Sequence, residues 1–155
     1  MIRMAKTRSP VLLQFAGSHY CEKARWALDY KQCAYTVRNL VPGRHVRSVH
    51  RYTSASHLPV LVTAESTIQG SGEIIDYLDK TIAQPALTPT HSADRSVAYE
   101  WERYLDANLG IPVRLLFYYH GFREPGFVRR FFLHDAPWWA NGYLCLLYTS
   151  DAADE

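Results

Sequence analysis

Residues 17–28 constrain this chain most, because here a buried strand runs into a helix across a turn of two small residues. An apolar run at residues 11–15 comes first and ends at Gly17-Ser18; such a run bounded by a turn is typical of a buried strand. Ser18 is a favourable N-cap, and Glu22 falls in the first helical turn, where the helix dipole favours an acid. The free N–H groups of such a helix start bind anions and lower thiol pKa values.

The next segments complete a recognisable order of elements. An apolar stripe at helical spacing predicts a first helix over residues 19–32, formed by Tyr20, Ala24, Ala27, Leu28 and the stem of Lys31. Alternation predicts a strand over 35–40, and a short basic helix follows over 44–52. Strands at 59–63 and 67–69 form a hairpin, and a helix capped by Ser71 runs to about residue 82. The order βαβαββα predicts a thioredoxin-like domain over residues 9–82.

The second part of the chain has a different, helical pattern over residues 91–144. A linker over 83–90 contains two prolines, and apolar residues then recur at helical spacing from Ser92. Gly110-Ile111-Pro112 predicts a break, followed by helices over 113–120 and 125–133. We expect packing in the core and between domains from a set of aromatic side chains: Trp101, Tyr104, Phe117, Tyr118 and Tyr119.

Composition excludes several classes of function. The formal net charge is +2 and the basic residues are scattered, which argues against a nucleic-acid surface. No apolar run reaches the length of a membrane span, and residues 1–8 lack the features of a secretory signal. Few cysteines at unrelated spacings fit a reducing, cytoplasmic location. His45 and His50 lie on different helix faces, and we expect no metal site.

Three stretches in order carry a resemblance to a known family. Residues 18–28 resemble the first helix of cytosolic glutathione transferases, closest to the omega-like and related bacterial groups. Residues 57–61 resemble the family's strand entry with a cis-proline, and residues 68–78 its glutathione-binding turn and third helix. The resemblance extends over residues 10–144. Residues 145–155 resemble a translated sequencing adaptor, so we expect them to lie outside the natural chain and the helical domain to be truncated.

The resemblance implies roles in binding glutathione for residues at the start of the first and third helices and at the strand entry between them. Ser18 would stabilise the glutathione thiolate, with His19 and Tyr20 beside it. Leu58 and Pro59 would hold the cysteinyl unit across a cis peptide bond, as an added strand is held. Three consecutive residues would bind the γ-glutamyl end: Gln69, Gly70 and Ser71. The family carries an acid where this chain has Gly70, so Gln69 would replace it in part and Gly70→Glu would tighten binding.

The implied function is conjugation of the glutathione thiolate, glutathione being a substrate, to a small electrophile by a homodimeric enzyme. Two alternatives stay open at this point. Cys21 could serve a glutaredoxin-like thiol reductase, although a lone helical cysteine is usually a small buried hydrophobe. The fold could also serve as a non-catalytic interaction module. Arg25 is expected to brace the fold through a hydrogen bond or ion pair.

Overall fold

A computed structural model describes residues 9–124, 126–133, 138–140 and 142–143. The first half follows the predicted order βαβαββα. Its elements are β1 Val11–Gln14, α1 His19–Tyr30, β2 Thr36–Asn39, α2 His45–Val49, β3 Val60–Val62, β4 Thr67–Gln69 and α3 Ser71–Thr81. The thioredoxin-like fold class predicted from the sequence is therefore confirmed.

The four strands form one mixed sheet in the order β2-β1-β3-β4. Strand β1 pairs parallel with β2, Val11 lying opposite Thr36, and antiparallel with β3, Leu12 lying opposite Leu61. Strands β3 and β4 pair antiparallel as a hairpin. The parallel β1-α1-β2 unit brings the carboxyl end of the central strand to the start of helix α1.

Side chains of the sheet alternate between two apolar layers. Leu12 and Leu61 pack with α1 and α3 in the larger layer, while Leu13 and Val60 pack with α2 in the smaller one. The larger layer is completed by small and aliphatic residues of the two helices: Ala24, Ala27, Leu28, Ile74 and Leu78. The stripe predicted on the first helix is thus the face that α1 buries.

A buried ion pair joins the carboxyl ends of α1 and α3. The Lys31 side chain is completely buried, and its Nζ lies 2.7 Å from Asp79 Oδ1. Lys31 Nζ also donates to the carbonyl of Ile82, while the Asp79 carboxylate accepts the N–H groups of Leu87 and Thr88. Each charge buried here therefore has a partner, and the pair anchors the chain that leaves α3.

The second half is helical, as predicted, but its first helix continues past the predicted break. Helix α4 (Ser92–Leu105) passes through a π-helical segment, Asp106–Gly110, directly into α5 (Ile111–Gly121). Gly110 has right-handed helical backbone angles, so the break predicted there was wrong. A π segment absorbs an extra residue without ending the helix, which accommodates Pro112 near its end. Helix α6 is Phe127–Phe132.

The predicted packing of the helical aromatic residues was wrong in large part. Trp101 and Tyr104 are each 58% exposed, and Phe117 and Tyr119 are also exposed, while Tyr118 is half-buried. Helix α4 meets the first half through polar groups instead. Tyr99 Oη donates to Asp76 at 2.7 Å. Residues 134–137 and 144–155 lie outside the described part, and the domain boundaries at 9–82 and 91–144 stay predictions. No helix among the described residues is long and apolar enough to cross a membrane.

The buried ion pair makes a prediction for stability. Asp79→Asn leaves the Lys31 ammonium buried without a charged partner, which should lower the free energy of unfolding by about 3–5 kcal/mol. Urea denaturation at neutral pH measures this loss. Glu65→Gln, at an exposed position in the turn between β3 and β4, serves as the control and should change stability by less than about 0.5 kcal/mol.

The same ion pair makes the stability of the fold depend on pH in the acidic range. Although burial opposes its ionisation, hydrogen bonds from Lys31, Leu87 and Thr88 lower the pKa of Asp79 from 3.8 to about 2. Because the pKa of Asp79 is lower in the folded chain than in the unfolded chain, the ionised carboxylate stabilises the fold above pH 3.8. This contribution to the free energy of unfolding is lost as the pH falls towards about 2. The stability difference between the natural chain and Asp79→Asn should shrink over this window; a difference independent of pH would contradict the assignment.

Candidate functional site

Helix α1 begins with the cap predicted from the sequence. Ser18 has extended backbone angles, and its Oγ accepts a hydrogen bond from the N–H of Cys21 at 3.4 Å. The oxygen acts as an acceptor in this cap, and the Ser18 hydroxyl is also hydrogen-bonded to the Cys21 thiol. Arg25 braces this turn as expected, through Gln14, Glu22 and the carbonyl of Ala16.

The N-cap of helix α3 lies one residue earlier than predicted. Gly70 is the N-cap, with φ of +105°, and Ser71 is the first helical residue. Ser71 is buried, and its hydroxyl makes no hydrogen bond to another residue that the structure describes. The expectation that Ser71 caps the helix was therefore wrong, and its hydroxyl is available at the helix start instead.

Five of the predicted site residues line one cavity of about 450 Å³. They come from α1, from the entry to β3 and from the start of α3: Tyr20, Leu58, Pro59, Gly70 and Ser71. The Leu58–Pro59 peptide bond is cis, as predicted, and Gly70 N–H donates to the carbonyl of Pro59 at 3.0 Å. The fold thus brings together residues as far apart in sequence as Tyr20 and Ser71.

An acid lies at this cavity, although residue 70 is a glycine. The carboxylate of Glu73 folds back over Gly70, where a Cβ on residue 70 would collide with it. Asp76, one helical turn further on, lines the same cavity. The Gly70→Glu change expected to tighten binding would therefore meet both a positive φ and an occupied space, so that expectation is withdrawn.

The remaining predicted residues lie elsewhere. The Gln69 amide donates to the carbonyls of Ala55 and His57 at 3.0 and 2.8 Å, so it holds the loop before β3. Ser18 and His19 line a separate groove along α1, with Trp26 and Tyr30 among its apolar walls. Ser18 nevertheless lies two residues from Tyr20, which reaches into the cavity.

Polar contacts join α1, at the cavity, to the helical half of the chain. Tyr20 Oη donates to the carbonyl of Asp106 at 3.2 Å, and Lys23 pairs with Glu102 and with Asp106. Burial and the nearby Asp106 raise the pKa of Tyr20, while burial and the cation of Arg114 lower the pKa of His19. Tyr20 therefore stays a neutral donor at physiological pH.

Cys21 is unsuited to redox chemistry in this arrangement. The side chain is completely buried, and burial raises the pKa of its thiol despite hydrogen bonds to Ser18 and Phe15. A reactive thiol needs exposure and a lowered pKa. Among the described residues, no group of three or more His, Cys, Asp or Glu side chains could hold a metal ion.

Sequence reasoning missed the acids and bases that α3, α4 and α5 bring to the cavity. They include Glu73, Asp76, Glu102, Asp106 and Arg114. The spacing of Glu73, three residues after the N-cap glycine, is a helix-start pattern that could have indicated it. Asp76 follows Glu73 by one turn of α3, whereas Glu102, Asp106 and Arg114 reach the cavity only through contacts between the two halves, which carry no local signal in the sequence.

The fold and the cavity define a thioredoxin-like protein with a binding site at the start of two helices. The family model for the N-terminal domain of glutathione S-transferase matches residues 12–86. Residues 12–86 therefore belong to the N-terminal domain family of the glutathione transferases, and they form the thioredoxin-like fold described above.

Two curated relatives show similarity at the level of sequence. A Vibrio cholerae protein named a probable maleylacetoacetate isomerase is 33% identical over 92 residues, which are 56% of this chain and 43% of that protein. A glutathione S-transferase of Arabidopsis thaliana is 28% identical over 111 residues, 70% of this chain and 49% of its own. The chain thus spans less than half the length of these relatives.

Solved structures agree. A tau-class glutathione S-transferase of mango, Mangifera indica, has a TM-score of 0.61 at 26% identity, covering 64% of this chain and 46% of its own. A rice glutathione S-transferase in complex with glutathione has a TM-score of 0.56 at 26% identity, covering 66% and 49%. One from Methylobacterium radiotolerans, in complex with glutathione sulfonate, has a TM-score of 0.58 at 26% identity, covering 63% and 46%.

The position of the Glu73 carboxylate over Gly70 predicts a loss of stability when residue 70 gains a side chain. Gly70→Ala adds a Cβ that collides with the Glu73 carboxylate, on top of a positive φ that costs an L residue roughly 1–2 kcal/mol. Gly126 has left-handed helical backbone angles and nothing within 4 Å of its Cβ position, so Gly126→Ala measures the cost of a positive φ in that region without a collision. Thermal or urea unfolding should show a larger loss at Gly70, whose φ of +105° and ψ of 146° suit glycine alone. Adding Glu73→Ala to Gly70→Ala should recover the part of the loss that the collision causes; no recovery would show that Glu73 lies elsewhere.

Proposed function

We propose that the cavity binds glutathione and that the complete protein transfers the glutathione thiolate to a small electrophile. The observation that carries this proposal is that Leu58, Pro59 and Ser71 line one cavity with Tyr20 of α1, the helix that Ser18 caps. Membership of the family and the glutathione-bound rice structure support the choice of ligand. Retention on glutathione-agarose is the direct test, and free glutathione should elute the chain.

The start of α3 suits the γ-glutamyl end of the ligand. Its first N–H groups have no partner within the helix, and together with the Ser71 hydroxyl they can donate to the α-carboxylate. The carboxylates of Glu73 and Asp76 are placed to accept from the α-ammonium. In this proposal, Glu73 supplies the acid that Gly70 lacks, while Gln69 acts by holding the loop that carries Leu58.

The cysteinyl unit would lie along the Leu58 backbone, which offers an N–H and a carbonyl as an edge strand does. This placement directs the thiol towards the start of α1. There the helix dipole and the Ser18 hydroxyl would both stabilise a thiolate, lowering the pKa of the bound thiol and raising the share of its nucleophilic form. His19, whose pKa is lowered, would stay neutral beside it.

The reaction needs no further group from this chain. The thiolate sulfur forms a bond to the electrophilic carbon while a leaving group departs with its electron pair, or while an activated double bond takes up the pair and then a proton. Tyr20 and Arg114 line the side of the cavity that faces the helical half. We further propose that the complete protein is a cytoplasmic homodimer, as the resemblance implies.

The first prediction here concerns Ser18. Ser18→Ala should reduce conjugation of a standard electrophile by roughly 10²–10³-fold, because one donor to the thiolate is lost. It should raise the pKa of bound glutathione, measured by the ultraviolet absorbance of the thiolate, while binding persists. The loss of the cap should cost about 1 kcal/mol of stability.

Cys21→Ala is the matched variant. A buried thiol that only packs should leave both conjugation and the bound-thiol pKa nearly unchanged. Disulfide reduction that disappears in Cys21→Ala, with no conjugation in any variant, would instead assign the chain to the reductases. An unchanged thiol pKa in Ser18→Ala would remove Ser18 from the mechanism.

The second prediction concerns Glu73. Glu73→Gln should weaken glutathione binding by about 1.5–3 kcal/mol, the value of a charged hydrogen bond. Calorimetry with a glutathione analogue that lacks the α-amino group should show no difference between Glu73→Gln and the natural chain. The exposed hairpin residue Glu65 provides the charge control as Glu65→Gln. Equal weakening for both ligands would mean that Glu73 does not contact the amino group.

A further inference from the structure

A second cavity, of about 510 Å³, lies at the other side of the sheet, between β2 and α2. We call it the arginine cavity, because four arginines line it together with a histidine and a tryptophan: Arg38, Arg44, Arg47, Arg51, His45 and Trp139. It shares no lining residue with the cavity proposed to bind glutathione. Its volume lies within the range of small-ligand sites, roughly 300–1,000 Å³.

The arginine cavity concentrates positive charge without compensation. Among the residues that the structure describes, no Asp or Glu lines it, and the sequence has none between Asp29 and Glu65. Within the described part of the chain, none of its arginines forms an ion pair. Like charges held close together repel one another, so the arrangement is unfavourable until an anion enters.

The spacing of residues on α2 and the pairing of β2 with β1 bring these side chains together. Arg44, Arg47 and Arg51 are spaced by three and four residues, which places them on one side of α2 and its flanking turns. Arg38 joins them from β2, at the position paired with Leu13, whose side chain packs under α2. Two elements therefore aim cations at one space, although the basic residues look scattered in the sequence.

Two further groups complete the site. His45 Nδ1 is buried and has no hydrogen-bond partner among the described residues. A buried polar atom without a partner is costly, and a ligand oxygen would satisfy it. Trp139 forms an aromatic wall, with the Arg44 guanidinium 4.5 Å from its ring centroid. This contact fixes Arg44 while its remaining donors stay available.

We propose that the arginine cavity binds a small ligand that carries several linked phosphate groups. Guanidinium groups match phosphate oxygens with paired donors, which makes arginine the favoured residue for such ligands. Four cations exceed what a single carboxylate requires. A concave site of this size also favours a compact polyanion over an extended surface. The proposal does not depend on glutathione binding at the other cavity.

The test titrates inorganic tripolyphosphate into the chain by calorimetry, at low and at moderate salt. We expect one saturable site whose affinity falls as salt rises. Arg47 and Arg51 are exposed, so the double variant Arg47→Gln/Arg51→Gln should fold normally and weaken binding roughly tenfold or more. The double variant Arg95→Gln/Arg129→Gln removes the same charge outside the cavity and should bind as the natural chain does.

Parallel titrations with ATP distinguish a nucleotide from a simple phosphate chain. ATP binding that is tighter than tripolyphosphate binding, and that loses this advantage in Trp139→Leu, assigns a nucleotide; equal affinities assign the phosphate chain. Either result supports the site. The proposal fails if no saturable binding occurs, if the control variant weakens binding equally, if glutathione displaces the polyphosphate, or if only DNA or anionic vesicles bind.

Discussion

The Lys31–Asp79 ion pair holds the two helices on which the rest of the structure depends. It joins their carboxyl ends, and Asp79 also holds Leu87 and Thr88 in the connection towards α4. The opposite ends of the same helices carry Ser18 and Ser71. Since a helix is a rigid rod over this length, fixing one end also sets the spacing at the other. Together with the apolar contacts between α1 and α3, this charge pair helps to set the geometry of the binding end.

The site shows that a carboxylate can be supplied from a different sequence position and still lie at the same place in the fold. Residue 70 has no side chain, yet the Glu73 carboxylate lies over it. A helix turn separates the two positions in sequence but places them side by side at the helix start. The glycine is then required rather than deficient, because its positive φ and missing Cβ leave room for the acid.

Much of the fold followed from local sequence signals, and the rest did not. Alternation and helical spacing predicted the order βαβαββα, and the Ser18 cap was evident from its turn. Lys31 was predicted only as an apolar stem, because its partner Asp79 lies 48 residues away. The arginine cavity was missed for the same reason, since Arg38 meets Arg47 only through tertiary packing. The aromatic residues of α4 and α5 were assigned to a core because periodicity indicates an apolar face but not what covers it.

The π-helical segment Asp106–Gly110 makes the orientation of α5 depend on the number of residues that precede it in the helix. One extra residue in a helix rotates everything after it by about 100°, so this segment sets which face of α5 follows from the polar face of α4. Tyr20 fixes the segment from outside, through the carbonyl of Asp106. Deleting a single residue here would restore regular α-helical pitch and turn Arg114 away from the cavity. The number of residues in this segment therefore sets which side chains of α5 face the cavity.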